Sequence, residues 1–594
     1  MSSSPPSQAR SRSVLTELYS GRVRWDLLRP FPEPDAADER NADRAVAQLT
    51  GLLRALVDPT EVDVSGRLPE GPMKALQDNG FLKLMITEEL GGLGLSAHGA
   101  FRVIEAAASW SAPVAFSLAI TNGFGSGSYL PALPEGPLKD LISARVADGL
   151  VSAGADAEAQ GTANQTRTTR AIAVEDGAAY RVSGEKVFIG NGPVAGLMDV
   201  SATVTRPDGT EAVDLFFVDS ASPGFEVAAE HEFMGLRGAL IGALRLDNVR
   251  VPAEYRLGDP SNSWRMRPDT TGPESTVDGL ADLGELAVLG RILVIAPNAL
   301  AIAKLCLLWS REFANRRRID NRGLGEYDEI QRLIAQTAAD VFAIDSIASW
   351  ALLAHDRADT VPDLTAAKNL TSMTCWRVVD RTMSLLGAEG YETAVSKARR
   401  GAVPLPVERS FRDARALRIA GGVDFMLDKW SAESTLSTLY ATDVIGPAGT
   451  DDISDGALSP RCREHLDFVV ESSATLARTC ARLIAEHTRA ELFEHQHAMT
   501  VIGRIGNELF GMSVVLARAA QLATAGTTNA LELADISCAG SRLRIGALWP
   551  ELAATEPDFA AASDGWLRGN RFDFLIRDIV TEPATKQEEA NTHA

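Results

Sequence analysis

The chain has 594 residues, of which 45% are hydrophobic and 23% are charged, so wholesale disorder is excluded and the length suffices for a large core. The net charge of −21 at pH 7 argues against nucleic acid and anionic membranes as general partners, since both are bound largely through Lys and Arg. The sequence therefore predicts a globular protein that binds no nucleic acid.

Cysteine and histidine offer little metal-binding potential. The five cysteines form no Cys-x-x-Cys pair, which is typical of a reducing compartment and argues against a structural zinc. His495 and His497 are the nearest histidine pair, but residues two apart lie on different faces of a helix. We therefore expect no metal site.

The first residues include arginines but no apolar segment after them, so we expect a cytoplasmic protein without an export signal.

The predicted elements change character along the chain. Apolar residues first recur at spacings of three and four, which predicts helices. Val, Phe and Thr then alternate between Gly, Asp and Pro turns, which predicts strands, and helical periodicity returns afterwards. The sequence predicts an N-terminal extension (1–39), a helical domain (40–149), a β domain (150–262), a helical bundle domain (280–435), a linker (436–463) and an extra helical domain (464–580).

The most apolar stretch covers residues 286–309 and is long enough to span a membrane. Arg291, Asn298 and Lys304 interrupt it, however. A membrane span needs ~20 predominantly apolar residues without such interruptions. We therefore interpret this stretch as a buried core helix.

Several motifs are more informative together than alone. These are ITEELGGLGLS (86–96), VFIGNG (187–192), FMGLRGALIGALRLDNVRVPAEYRLG (233–258), and LLGAEGY followed by PVERSFRDAR (385–415). In this order they resemble the acyl-CoA dehydrogenase superfamily. The early stretch ELYSGRVRWDLLRPFPEP and the extra C-terminal helices are most similar to its very-long-chain branch. The resemblance implies an α+β fold with an N-terminal helical domain, a middle β barrel, a C-terminal four-helix bundle and an extra helical domain.

The resemblance implies that a glutamate removes the α proton of an acyl thioester while the β hydrogen leaves as hydride to FAD. In most branches that glutamate lies in Tyr-Glu-Gly-Thr, which corresponds here to 420–423, so Gly421 occupies the base position. Another branch places it before an Arg that matches Arg291, where this chain has Gly290. The resemblance assigns Arg291 to the substrate site. Asp424 is the nearest acid and the candidate base.

A second explanation for Gly421 is purely local. Glycine after a helix is an ordinary C-terminal cap, because it adopts the left-handed conformation without steric cost. The stretch FRDARALRIAGGVDFM (411–426) fits that description. Local sequence alone leaves both explanations open.

The stretches that correspond to flavin contacts in the family are altered. The family's Thr-Glu-Pro and Gly-Ser-Asp stretch is replaced by GADAEAQGTAN, and its Ile-Thr-Asn-Gly by IGNG. Each lost hydrogen bond is worth ~0.5–1.5 kcal/mol, so several losses weaken binding strongly unless they are compensated. FAD is the expected cofactor. The corresponding candidate contacts are Thr162, Ile189, Asn191, Arg316, Ser384 and Gly387.

Three functions are compatible with this pattern. The first is a flavin-dependent dehydrogenase of an acyl thioester with a relocated base. The second is a member without dehydrogenase activity, either a silent subunit retained for a partner or a flavin oxygenase on the same fold. The third is a binding protein for an acyl thioester. Flavin absorbance of the purified protein separates the first two from the third.

The partners are also expectations. The acyl group is carried by CoA or by an acyl carrier protein, and a basic insertion at 396–405, with Lys397, Arg399 and Arg400, suggests a dock for an acidic carrier. The alternative is that the insertion is only a solvated surface loop.

The extra domain predicts a homodimer, because in the very-long-chain branch it covers the surface that otherwise packs a second dimer. Residues 443–460 are acidic and contain no Lys or Arg, which predicts no stable membrane attachment.

Overall fold

The computed structural model describes residues 12–161, 164, 166–258, 280–442, 453, 455–553 and 558–580. The chain divides into two compact units, one ending at Ile545 and the other beginning at Gly546. The order of helices, strands and helices follows the sequence-based expectation, and the predicted fold class is confirmed.

Helix starts follow from capping residues that the sequence supplies. Asp35 accepts hydrogen bonds from the backbone N–H groups of the first turn of the helix that it precedes. Ser459 caps another helix, whose first residue is Pro460. The α-helices are α1 (Val14–Tyr19), α2 (Trp25–Leu28), α3 (Ala36–Leu56), α4 (Pro59–Ser65), α5 (Pro72–Asp78), α6 (Ala97–Trp110), α7 (Ala112–Gly123), α8 (Pro137–Ala147), α9 (Leu280–Arg316), α10 (Asp328–Leu353), α11 (Val361–Leu386), α12 (Ala388–Tyr391), α13 (Ala394–Arg399), α14 (Val407–Leu417), α15 (Asp424–Thr442), α16 (Pro460–Glu486), α17 (Arg489–Glu494), α18 (Gln496–Thr524), α19 (Ala530–Ala553) and α20 (Phe559–Leu567).

The strands of the described residues form one large sheet and one short hairpin. The strands are β1 (Ser152–Ala155), β2 (Arg170–Val174), β3 (Ala179–Gly190), β4 (Leu197–Thr205), β5 (Glu211–Asp219), β6 (Phe225–Glu230), β7 (Ile241–Pro252), β8 (Arg256–Leu257), β9 (Arg318–Ile319) and β10 (Arg322–Gly323). The large sheet has the order β6-β7-β3-β2-β4-β5-β8, and β1 pairs in parallel with β4. Its longest antiparallel pair is β3 with β7, and a β-bulge interrupts that pair between Lys186 and Ile189.

Helix α9 is the central helix of the first unit and packs against α6, α7, α10 and α11. It contains the apolar stretch that we predicted to be a buried core helix. Two helices among the described residues, α9 over Leu286–Arg316 and α18, are long and apolar enough to cross a membrane, but 72% and 83% of their apolar windows are buried inside the protein. Both therefore have the burial of core helices.

The N-terminal segment is integrated into the helical core. The buried carboxylate of Asp363 in α11 accepts hydrogen bonds from the backbone N–H of Leu15 at 3.0 Å and from the indole N–H of Trp350 at 3.1 Å. Tyr19 donates to the carbonyl of Ile502 in α18 at 3.2 Å. Helix α1 thus joins the helical bundle to the extra helices.

Helices occupy both ends of the predicted linker (436–463), since α15 continues to Thr442 and α16 begins at Pro460. The polar end of α15 is helical, and its serine and threonine side chains donate to carbonyls one turn earlier, for example Ser437 to Glu433 at 2.7 Å. Three of the four acidic residues on which the membrane expectation depends, 443, 451 and 452, lie outside the described residues, and the fourth, Asp455, forms an ion pair with Arg29 at 3.0 Å. That expectation stays a prediction.

The extra helices pack closely on the bundle through glycine. A Cβ on Gly503 in α18 would lie 1.9 Å from the carbonyl oxygen of Asp428 in α15, whereas a Cβ on Gly511 would meet only Leu370 and Ile347 methyl groups at 3.4 and 3.5 Å. We predict that Gly503→Ala lowers the free energy of unfolding by about 1–3 kcal/mol or more through overpacking, while Gly511→Ala changes it little. Denaturant unfolding of both variants is the measurement, and equal effects would contradict this close packing.

Candidate active site

The turn at Gly421 connects α14 to α15. Gly421 and Gly422 have φ values of +69° and +111°, a region that favours glycine. The backbone N–H of Asp424 closes the turn on the carbonyl of Arg418 at 3.1 Å. The turn itself therefore favours glycine at both positions, although α14 ends at Leu417 with Arg418 as its C-cap, so Gly421 lies beyond the residue that caps the helix.

The aliphatic parts of two cationic side chains lie next to the position that a side chain at Gly421 would occupy. A Cβ built there would lie 3.6 Å from Cγ of Arg291 and 3.9 Å from Cε of Lys368, which are ordinary van der Waals distances. Lys368 donates from Nζ to the carbonyl of Gly422 at 2.7 Å. Because Arg291 directly follows Gly290, the two vacated base positions lie in the same part of the site. The resemblance alone did not identify Lys368 as a member of this site.

The two cations are poorly compensated. Burial, and next the charge of Arg291, lower the pKa of Lys368 to about 7, although Asp424 and Asp428 oppose the shift. Burial also lowers the pKa of Arg291, although the charge of Asp156 opposes this shift, and the shielded Nη1 of Arg291 has no hydrogen-bond partner. Among the described residues, no carboxylate lies within ion-pair distance of either cation. This region favours an anion.

Asp424, the candidate base, is engaged in another interaction. Its Oδ2 accepts from Nε of Arg418 at 2.7 Å and also from Nη2 of the same residue. Its Oδ1 accepts from the backbone N–H of Phe425 at 2.8 Å, as expected at a helix start. A base role for Asp424 stays a prediction, and it requires the carboxylate to leave Arg418.

Gly290 lies at a close crossing of α9 and α7. A Cβ there would lie 2.3 Å from the carbonyl oxygen of Gly123, so no larger residue fits without a shift of the helices. Both glycines line a cavity of about 720 Å³. Its wall includes one apolar face of α9, formed by Leu286, Leu289 and Leu293. A cavity of this size and character suits a small-molecule ligand with an apolar portion.

The predicted cofactor contacts in the β domain are buried. Ile189 belongs to the hydrophobic core of the sheet. Asn191, at φ +60°, donates from Nδ2 to the carbonyl of Ser117 at 2.8 Å and to Thr121 Oγ1 at 3.0 Å. Its Oδ1 is buried without a partner. Thr162, the remaining candidate of this group, lies outside the described residues.

An exposed aromatic group was missed by the sequence analysis. Phe188 has φ +60° and is 60% exposed. Its ring centroid lies 5.1 Å from that of His231 and 6.1 Å from that of Phe233. The bulge between Lys186 and Ile189 shifts the strand register here. An aromatic residue next to the Asn/Gly turn was the available signal, but the bulge cannot be read from strand alternation.

A buried ionic network supports the loop after β1. Lys186 is fully buried and donates to Glu158 at 2.8 Å and to Ser201 at 3.1 Å. Arg167 bonds both carboxylate oxygens of Asp156, at 2.8 and 3.0 Å. Burial alone would raise the pKa of Glu158, but the hydrogen bond from Lys186 and further bonds lower it to about 2. The acidic residues of this loop are therefore engaged in internal ion pairs.

The other predicted cofactor contacts lie at the C-terminal ends of α9 and α11. Arg316 forms ion pairs with Glu312 at 2.8 Å and with Glu389 at 2.6 Å. Ser384 and Gly387 are exposed, and the backbone N–H of Gly387 donates to the carbonyl of Ser384 at 3.2 Å. The structure therefore brings Arg316, Ser384 and Gly387 together at these helix ends, whereas Ile189 and Asn191 lie in the β domain.

The basic insertion at 396–405 is less cationic at its surface than its sequence indicates. Lys397 is 1% exposed and donates to the backbone carbonyl of Glu389 at 2.8 Å. Arg400 forms an ion pair with Glu392 at 2.6 Å. Arg399 is exposed. The expectation of three surface cations was wrong for Lys397, because the fold of the loop buries it.

Metal binding has no structural support within the described part of the chain, where no group of three or more His, Cys, Asp or Glu side chains could hold an ion. The five cysteines are free and buried. Burial raises their pKa values, to about 12 for Cys306 and Cys480. Reactive thiolate chemistry is therefore disfavoured.

Family models match three consecutive regions of the chain. These are the acyl-CoA dehydrogenase N-terminal domain at 46–132, the middle domain at 153–249 and the C-terminal domain at 278–434. Together they cover more than half of the sequence, and the chain belongs to the acyl-CoA dehydrogenase family.

Similar proteins agree with this assignment. A protein of Mycobacterium tuberculosis described as probable acyl-CoA dehydrogenase FadE10 is 28% identical, over 96% of this chain and 90% of its own. An acyl-CoA dehydrogenase from Bacillus anthracis, solved with FAD, has a TM-score of 0.70 at 17% identity and covers 94% of this chain and 95% of its own. The prolyl acyl carrier protein oxidase AnaB has a TM-score of 0.55 at 17% identity, over 66% of this chain and 97% of its own. At these identities the two structures show the fold alone.

Proposed function

We propose that this protein is an FAD-dependent oxidoreductase that introduces a double bond between Cα and Cβ of an acyl thioester, with Gly421 in place of the usual glutamate. The observation that carries the proposal is the meeting of Gly421 with Arg291, the neighbour of Gly290. Gly421 and Gly290 are far apart in sequence, and each corresponds to a base position in one branch of the family to which the chain belongs. Their proximity supports a retained site for proton removal.

The residues around the site fit a flavin. Phe188, with His231 and Phe233, offers an exposed aromatic surface against which a planar ring can stack. Arg316 and the exposed backbone around Ser384 and Gly387 would hold the anionic and polar part of FAD, although Arg316 must then share its guanidinium with Glu389. FAD supplies the two-electron acceptor for the β hydrogen.

The cavity beside Gly290 would hold the acyl chain. Its apolar face on α9 suits a hydrocarbon, and Arg291 lies at the adjacent helical position. Arg291 and Lys368 would then stabilise negative charge that develops near the thioester as the α proton leaves. On this proposal Arg291 and Lys368 provide the positive charge, and the cavity beside Gly290 provides the space for the acyl chain.

A catalytically silent, acyl-thioester-binding subunit is the second candidate. The ion pair of Asp424 with Arg418 favours it, because that pair engages the nearest acid on the chain. The carrier, CoA or an acyl carrier protein, the homodimer and the cytoplasmic location stay predictions. Of the three cations proposed to dock a carrier, only Arg399 and Arg400 are exposed, and Arg400 is paired.

Flavin binding tests the proposed function. We expect the purified protein to bind FAD with the absorbance of an oxidised flavin. Phe188→Ala should weaken binding several-fold, since it removes the stacking surface. Ile172→Ala is the matched control, because Ile172 is 67% exposed on another strand of the same sheet. An absence of bound flavin at saturating FAD would contradict the proposal.

A further inference from the structure

The missing side chain at Gly421 leaves an unusual charge arrangement. In the family's usual arrangement a carboxylate projects from this position. Here, a Cβ at this position would lie 3.6 Å from the Cγ methylene of Arg291 and 3.9 Å from the Cε methylene of Lys368, the carbon that carries the ammonium group. Lys368 is 1% exposed, and the acceptor of its Nζ is a neutral backbone carbonyl, that of Gly422. The shielded Nη1 of Arg291 has no acceptor.

The nearby acids are committed to other partners. Asp424 is paired with Arg418, and Asp428 accepts from Arg504 at 3.0 Å and from Asn369 at 2.6 Å. Asp156, whose charge acts on Arg291, accepts from Arg167 at 2.8 and 3.0 Å. The charges of Asp424 and Asp428 still oppose the lowering of the Lys368 pKa, but neither carboxylate forms an ion pair with Lys368. Two adjacent cations that lack a carboxylate form a natural anion site, since guanidinium and ammonium groups make charge-assisted hydrogen bonds to carboxylate oxygens.

We propose that the space in front of Gly421 binds a carboxylate that is not part of the chain, held between Arg291 and Lys368. The catalytic role of this bound carboxylate rests on the proposed function. The bound carboxylate accepts the α proton: the Cα–H bond breaks, an O–H bond forms, and the released electron pair makes the Cα–Cβ double bond. The β hydrogen leaves with its electron pair to the flavin acceptor, and the carboxylic acid returns its proton to water.

Two sources provide this chemistry. One is a free small carboxylate such as acetate or formate. The other is the acyl group itself, when it carries a carboxylate that folds back to the site. The repulsion between Arg291 and Lys368 supports either source, because it contributes to the lowered pKa of Lys368 and a bound anion would relieve it.

Binding is tested without turnover. Acetate is titrated into the FAD-loaded protein at constant ionic strength, with chloride as the reference anion, and the thermal midpoint and the NMR linewidth of ¹³C-acetate are followed. We expect saturable binding that is lost in Lys368→Met, in Arg291→Met and in Gly421→Glu, whose own carboxylate fills the site. Lys397→Met is the matched control, because Lys397 is equally buried and also donates to backbone carbonyls; it should leave acetate binding unchanged.

Measurements of turnover distinguish a free carboxylate from a carboxylate on the acyl group. With an uncharged acyl-CoA, acetate should raise the rate at least ~10-fold, within the range of general-base catalysis. An acyl-CoA with its own carboxylate should instead react without acetate. Saturable binding without turnover of any thioester supports the carboxylate site and contradicts the dehydrogenase function. No saturable acetate binding in the folded holoenzyme, together with no preference for carboxylate-bearing thioesters, would overturn the proposal.

Discussion

Gly421→Glu is expected to raise the rate of acyl-thioester dehydrogenation by about 10²–10⁴-fold, the usual contribution of a general base. The new Cβ meets its neighbours at ordinary distances of 3.6 and 3.9 Å, and the carboxylate would extend toward Arg291 and Lys368. The φ value of +69° makes the substitution cost roughly 1–2 kcal/mol in backbone strain, which a folded protein of this size can tolerate. Steady-state rates with acyl-CoA substrates of several lengths, together with thermal melting, are the measurement.

Gly290→Glu is the matched variant at the other vacated base position. Its Cβ would lie 2.3 Å from the carbonyl oxygen of Gly123, so the crossing of α7 and α9 must open to admit it. We expect a destabilised protein without a gain in rate. A stable, active Gly290→Glu protein beside an inactive but folded Gly421→Glu protein would reverse our assignment of the base position.

Lys186→Met is expected to lower the free energy of unfolding by about 3–5 kcal/mol, because it leaves the carboxylate of Glu158 buried without its cation. Both side chains are nearly inaccessible, with exposures of 0% and 3%. Lys139→Met is the control: Lys139 pairs with Glu135 on the surface, and such pairs contribute at most about 1 kcal/mol. Denaturant midpoints compare the two variants. Similar losses in both would show that the buried network is not the main support of this loop.

The sequence was sufficient for the order of helical and β segments and for the burial of α9, because hydrophobic periodicity and the interrupted apolar stretch reflect local physics. The assignment of Gly421 to the base position came from the resemblance and stays a prediction. The role of Lys368 could not be predicted, since its burial and its bond to Gly422 depend on how α11 packs against the turn.

The other differences between the sequence-based predictions and the structure also arise from tertiary structure. The sequence predicts that Lys397 is a surface cation, but the loop buries this side chain and supplies backbone acceptors for it. The outward position of Phe188 follows from a bulge, which strand alternation cannot indicate. The Ser- and Thr-rich end of α15 suggests a linker, yet side-chain bonds to the preceding turn accompany a helix that continues to Thr442.

The most direct test of an acyl-thioester dehydrogenase without its own glutamate is anaerobic reduction of the bound flavin. A saturated acyl-CoA is added to the FAD-loaded native protein and to the Gly421→Glu variant, and the oxidised flavin band is followed together with formation of the enoyl thioester. We predict rapid bleaching in Gly421→Glu, with one enoyl product per flavin reduced, and slow bleaching in the native protein. A folded, flavin-loaded Gly421→Glu protein that stays oxidised with every chain length would contradict the account.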